Sequence, residues 1–296
     1  KDMAIVRSGS VILASPVTVA KLVVSNGASL VFTNWATVLT ASNVTVRSGG
    51  TITLAPAFGA SQMSNRVSIT CTNFTLEAGA SINVDGKGYA WDAGPGKGSG
   101  VSEWGGGGSL GGRGGDGSAT AAGATCGSLA APITPGSGGI SYQSGNPPNR
   151  GGPGGGAVRL NVVSMAAING TVSANGSDSG YASGGGSGGA VYITCGTFAG
   201  TSGLIRVCGG TGSISGGSGC GAGGGGRIAI TYTNLSVPNT VRFAASPGTN
   251  GWRVNIWDKG WRHAAEAGTL SLPDTMLLSP VLSGNRFRDV RLFMGI

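Results

Sequence analysis

One pattern recurs through this chain and leaves few folds open to it. Residues 22–32, 44–54 and 74–84 all read apolar-x-apolar-x-x-Gly-small-x-apolar-x-apolar. The alternation within each half is the period of two expected of a strand with one buried face. Between the halves stand Gly27, Gly49 and Gly79, where the chain must bend sharply and where a positive φ suits glycine. Val6-Arg7-Ser8-Gly9 repeats the start of the pattern, and residues 266–272 echo residues 77–84 with one residue fewer. That echo predicts another bend followed by a strand. The bend glycines are too close and too unevenly spaced for helical βαβ crossovers. They suit stacked coils that tolerate insertions at their corners.

A second set of strands has its own register. Residues 67–71, 158–162, 191–195 and 228–232 are apolar at alternate positions, and each row is followed by a second short strand pattern. Stacking these rows in parallel puts like residues over like every ~4.8 Å and builds a core that no single coil could bury. The expected fold is all-β: one parallel β-solenoid over residues 1–296. It divides into N-terminal coils (1–86), a glycine-rich insertion (87–156), coils entered through glycine runs (157–251) and C-terminal coils or a cap (252–296). The one helical candidate, 262–267, is about a turn and a half. In this stacking Cys71 and Cys195 share a column with Val162 between them. They are then two rungs apart, roughly 9.6 Å, too far for a disulfide and placed as buried free thiols. Any disulfide is expected among Cys126, Cys208 and Cys220.

Glycine supplies 60 of the 296 residues. Three strands are entered through glycine runs that end at Gly156, Gly189 and Gly226. Extended three-fold helices leave their backbone groups free to bond sideways, and glycine lets backbones approach closely. Two readings follow: the runs lie side by side as a polyglycine II-type bundle with mutual backbone hydrogen bonds, or they form separate ordered surface loops; the bundle is the expectation set against the structure.

The coils resemble those of bacterial surface β-helices, such as filamentous haemagglutinin-like adhesins and autotransporter passengers. The units at 154–160 and 223–230, a glycine run and then a strand, are similar to glycine-rich repeats of large exported bacterial proteins. The resemblance implies an extracellular or cell-surface location and a structural or adhesive role, with the chain itself or surface glycans as partner. Open solenoid ends make head-to-tail assembly a natural use. The alternatives are a carbohydrate-active β-helix enzyme, either a polysaccharide lyase or a glycosidase, and a phage-type receptor-binding tip.

Chemistry is thinly written. The formal net charge is +8, but the Lys and Arg residues are scattered with no run of three, against the clustered footprint of nucleic-acid binding. No apolar stretch approaches the ~20 residues of a membrane helix. The cysteines form no zinc-ligand spacing, and Gly111 to Asp116 begins a calcium-type turn without a tandem copy. No catalytic constellation, cofactor site or metal site is legible. One segment stands apart: Trp252, Arg253, Trp257, Trp261, Arg262 and His263 form a patch suited to a subunit contact or a sugar ring. Sequons at Asn43, Asn73, Asn169, Asn175 and Asn234 are glycosylation candidates of an exported chain.

Overall fold

The computed structural model describes residues 2–59, 63–99, 104–118, 120–142, 150–215, 218–249, 263–278 and 286–295. Two large sheets, both wholly parallel, follow the chain order without exception, and a two-stranded antiparallel ladder of Ile214–Ser215 and Ser218–Gly219 stands apart from them. The long sheet has nine strands: Met3–Val6, Val17–Val24, Leu39–Val46, Val67–Leu76, Ala157–Ile168, Ala190–Ala199, Arg227–Leu235, Gly268–Leu272 and Val290–Met294. The short sheet has eight: Gly9–Leu13, Ala28–Phe32, Thr51–Leu54, Ser81–Asn83, Thr171–Ser173, Leu204–Arg206, Arg242–Ala244 and Phe287–Arg288. Each coil contributes one strand to each sheet, save the last described one, Val290–Met294, which adds only to the long sheet; the chain is an all-β parallel solenoid. No helix occurs among the described residues; Arg262 lies outside them, and 263–267 run irregularly.

The alternation sets the register. Val67, Val158, Val191, Ile228 and Leu270 stack in one column, and Ile69, Leu160, Ile193 and Ile230 in the next. On the facing sheet Leu30, Ile52, Ile82, Val172, Ile205 and Phe243 do the same. Phe32, Phe74, Phe198 and Phe243 fill the space between the sheets and are fully buried. Burying a side chain of this size contributes roughly 1.5–3 kcal/mol, but only when a neighbouring coil covers it. The four predicted bends, Gly9, Gly27, Gly49 and Gly79, all have positive φ, from 67° to 81°. The inner three also stack: Gly27 N donates to Gly49 O (3.1 Å), and Gly49 N to Gly79 O (3.0 Å).

The thiols follow the same register. Cys71 and Cys195 both pair with Val162, one on either side of it. They are buried, and all five cysteines are unbonded, including Cys126, Cys208 and Cys220.

The echo at 266–272 does not hold. Gly268–Leu272 belongs to the long sheet, with Leu270 over Ile228, whereas Ser81–Asn83 belongs to the short one. Gly79 turns with φ +81°, but Gly268 is outside the left-handed region, and its N–H bonds Ala245 O (2.7 Å). Gly268 thus ends a glycine-bundle arm, as Gly189 and Gly226 do, and leads into a long-sheet strand.

Candidate functional site

Two features set this solenoid apart: a glycine bundle along one side, and exposed apolar side chains on the outermost described strands.

The bundle is wired with a period of three. In residues 184–189, Gly184 and Ser187 donate to Ile140 and Ser137. Gly185 and Gly188 donate to Gly221 and Gly224, and Gly186 and Gly189 to Ser177 and Ala174. Every third N–H thus reaches the same neighbour, the signature of an extended helix with three residues per turn. Residues 221–226 repeat the scheme: Gly221 and Gly224 bond Gly105 and Gly108, while Gly223 and Gly226 bond Gly210 and Val207. The runs ending at Gly156, Gly189 and Gly226 lie side by side. Gly155 N reaches Ser187 O, and Gly188 N reaches Gly224 O, both at 2.9 Å. The described parts of residues 87–156 contain no strand. They supply further arms, with 105–108 alongside 221–224 and 136–140 against both 151–155 and 184–187.

Close approach explains the composition. A Cβ on Gly107, Gly188, Gly221 or Gly223 would fall onto the carbonyl of Ala222, Val207, Gly115 or Gly186 respectively. Where a serine is buried in the bundle, its hydroxyl serves it. Ser109 Oγ accepts from Gly114 N (2.7 Å) and donates to Gly123 O (2.6 Å). Asp116 ties three arms together, accepting from Arg113 (2.6 Å), Ala122 N (2.9 Å) and His263 N (3.2 Å). Burial alone would push its carboxyl up; these hydrogen bonds outweigh it and hold the group below the usual value. Asp85 likewise binds Ser173 Oγ (2.5 Å) and Asn175 N (2.6 Å), and Asp92 accepts from Ser141 N (2.8 Å). These acids brace the structure, and no group of three His, Cys, Asp or Glu gathers among the described residues.

At the N-terminal end, Met3–Val6 and Gly9–Leu13 are the outermost strands of the two sheets. Val11 belongs to the inward column of Leu30, which is 3% exposed, yet Val11 itself is 43% exposed. Met3, Ile5 and Ile12 beside it are also exposed. The C-terminal end is half covered. The turn at 273–278 buries Leu277 completely, and Tyr232 donates to Asp274 across 2.6 Å. The other half runs on into Val290–Met294, the last strand of the long sheet. There Leu292 continues the column of the fully buried Leu270, and is 38% exposed.

Of the aromatic-basic patch, Trp252, Arg253, Trp257, Trp261 and Arg262 lie outside the described residues. His263 is exposed and bonds Asp116 through its backbone. The sequons differ in their surroundings. Asn175 is fully engaged, with Cys208 N (2.8 Å) on its oxygen and Asp85 and Ser173 on its nitrogen. Asn73 bonds Asn43 (3.2 Å), Asn169 accepts from Thr201 N (2.9 Å), and Asn234 is exposed. Alternation marks which residues enter the core columns; whether one is covered depends on the neighbouring coil, which alternation does not specify.

The described residues hold no helix long and apolar enough to cross a membrane. No protein-family model, curated protein or solved structure matches this chain.

Proposed function

We propose that this is an extracellular structural or adhesive protein whose copies stack head to tail into a surface filament or matrix. The observation that carries the reading is the stacking itself, in which each coil buries its core side chains against a neighbouring coil of like pattern. Val11 and Leu292 belong to the columns of the buried Leu30 and Leu270 and are themselves exposed among the described residues. A second copy would bury these side chains and pair the edge strands, which are otherwise templates for association. Contact of one end with the opposite end is heterologous, so it propagates rather than closing as a pair. The resemblance of the coils to bacterial surface β-helices supports the exterior location.

The test is polymer growth, measured by light scattering and negative-stain imaging. Purified protein is expected to form linear particles that lengthen with concentration. Val11→Asp and Leu292→Asp should each stop growth while leaving the melting transition in place. A wild-type chain that stays monomeric at high concentration defeats the proposal.

A second reading, a receptor-binding tip, is favoured by the bundle's turns. Gly180 N bonds Arg150 O (3.0 Å), Ser179 N bonds Thr211 O (3.0 Å), and Gly212 N bonds Thr249 O (3.1 Å). Successive turns therefore lie side by side, with Tyr142 and Tyr181 ring to ring at 6.1 Å. Binding to whole cells that is lost in Tyr181→Ala, with polymer growth unchanged, would select this reading.

A further inference from the structure

The outward face of the short sheet changes character along the stack. One outward column runs Ile12, Val31, Thr53, Asn83, Ser173, Arg206, Ala244, Arg288. Its neighbour carries Ser29, Thr51, Ser81, Thr171, Leu204 and Arg242. The first five coils thus present small polar or apolar groups, and the later rungs present guanidinium groups. Arg206 and Arg288 stand one rung either side of Ala244, roughly 9.6 Å apart along the stack. Arg242 lies on the Ala244 strand itself, two residues away. Because Ala244 is short, the three arginines rim a cleft instead of filling it.

That cleft has a volume of about 650 Å³ and is also lined by Thr211 and Ser246. Pockets of roughly 300–1,000 Å³ are the usual size for a bound small molecule or a few units of a polymer. Its charge is unbalanced, since Asp289 is the one acid among its lining residues. Arg206 is held in place by Ser173 Oγ (2.9 Å) and lies 3.8 Å from Asp85. Arg288 is 3.8 Å from Asp289, whose carboxylate also takes the Ser246 hydroxyl (2.8 Å). Arg242 is exposed and forms no ion pair among the described residues. Surface arginines with weak partners contribute little to stability, so stability does not account for three of them around one alanine.

We infer that this cleft binds an acidic glycan, gripping carboxylate or sulfate groups on successive sugars with Arg206, Arg242 and Arg288. The guanidinium fork matches both groups in bidentate fashion. The two-rung spacing of Arg206 and Arg288 approaches the length of a disaccharide, which suits a chain charged at every second sugar. Ser246 and Thr211 offer hydroxyl partners for the sugar ring. Among the described residues lining the cleft Phe243 is the one aromatic, and it is buried beneath it, so none of them offers a platform for a nucleobase. The inference does not depend on assembly. It is therefore tested on the Leu292→Asp protein, and its failure is distinguishable from failure of the filament.

Calorimetry with polygalacturonate and with heparin separates carboxylate from sulfate, and neutral dextran is the control. At least one acidic polymer should bind, with affinity that falls steeply with salt. Arg242→Ala and Arg288→Ala are each expected to weaken binding about tenfold, and the double variant about a hundredfold. Arg242→Lys should fall between, because it keeps the charge and loses the fork. Arg47→Ala, an exposed arginine on a distant corner, should bind as the parent does. Equal binding of dextran, equal loss in Arg47→Ala, or an unchanged double variant would each overturn the assignment.

Discussion

The coils before residue 86 and those after residue 157 share two sheets and one core, but they close their third side differently. The early coils cross from Phe32 to Leu39 and from Leu54 to Val67 by short connections. The later ones leave Ser173, Arg206 and Ala244, run out into the bundle and return through Gly189, Gly226 and Gly268. Both regions depend on glycine, for opposite reasons. At Gly9 and Gly27 a Cβ would meet nothing within 4 Å, but φ is +67° and +71°. At Gly188 and Gly221 φ is outside the left-handed region, but a Cβ would meet a backbone carbonyl. Gly9 and Gly27 are needed for their dihedral freedom, Gly188 and Gly221 for their lack of volume.

The largest expected effect follows from volume. Gly188→Val and Gly221→Val should destabilise by about 5 kcal/mol or more, since the obstructing atom is backbone and cannot rotate away. Gly188→Ala should already cost about 3 kcal/mol. Urea unfolding measures both, and a Gly188→Ala midpoint equal to the parent's would erase the distinction between the regions.

A smaller effect is expected at the corners. Gly27→Ala should cost about 1–2 kcal/mol, the penalty of a left-handed conformation for a residue with a Cβ. Gly27→Asn should recover part of it, because asparagine tolerates that conformation. In the bundle Gly221→Asn should be no better than Gly221→Ala. If asparagine rescues Gly221 as it does Gly27, the bundle glycine is there for φ after all.

The smallest effect separates the regions by pH. Burial pushes the Cys71 and Cys195 thiols of the core up to about 12, and the Cys220 thiol of the bundle up to about 11. Each folded value lies above the unfolded value of roughly 8.5. The folded state therefore holds its proton longer, and this contribution is complete below pH ~8.5 and lost as pH rises. Cys220 should exhaust its share near pH 11, and the core thiols near pH 12. Unfolding of Cys220→Ala and Cys71→Ala across that range reads the two windows. At pH 8 a thiol-specific reagent should leave both sites unmodified in the native protein.

The stacking order of the core was legible in the residues themselves. A strand with one buried face must place Ile69, Leu160, Ile193 and Ile230 inward. A slip of one residue would turn every one of them to solvent. The same rule separates Cys71 from Cys195 by Val162 on the sequence alone. The rest was decided only in three dimensions. A run of glycines has no side-chain pattern, so nothing in residues 184–189 marks Gly184 for Ile140, Gly185 for Gly221 or Gly186 for Ser177. Those partners are chosen by backbone groups that every residue shares, once the arms are brought together. Residues 266–272 show the limit most clearly. Their letters repeat a corner of the short sheet, but Gly225 N bonds Glu266 O (3.0 Å) and Gly268 N bonds Ala245 O (2.7 Å). Those two bonds hold the segment as a bundle arm and deliver Leu270 to the long sheet. The alternation determined which residues face the core, and the hydrogen-bonded neighbours determined which sheet that core face joined.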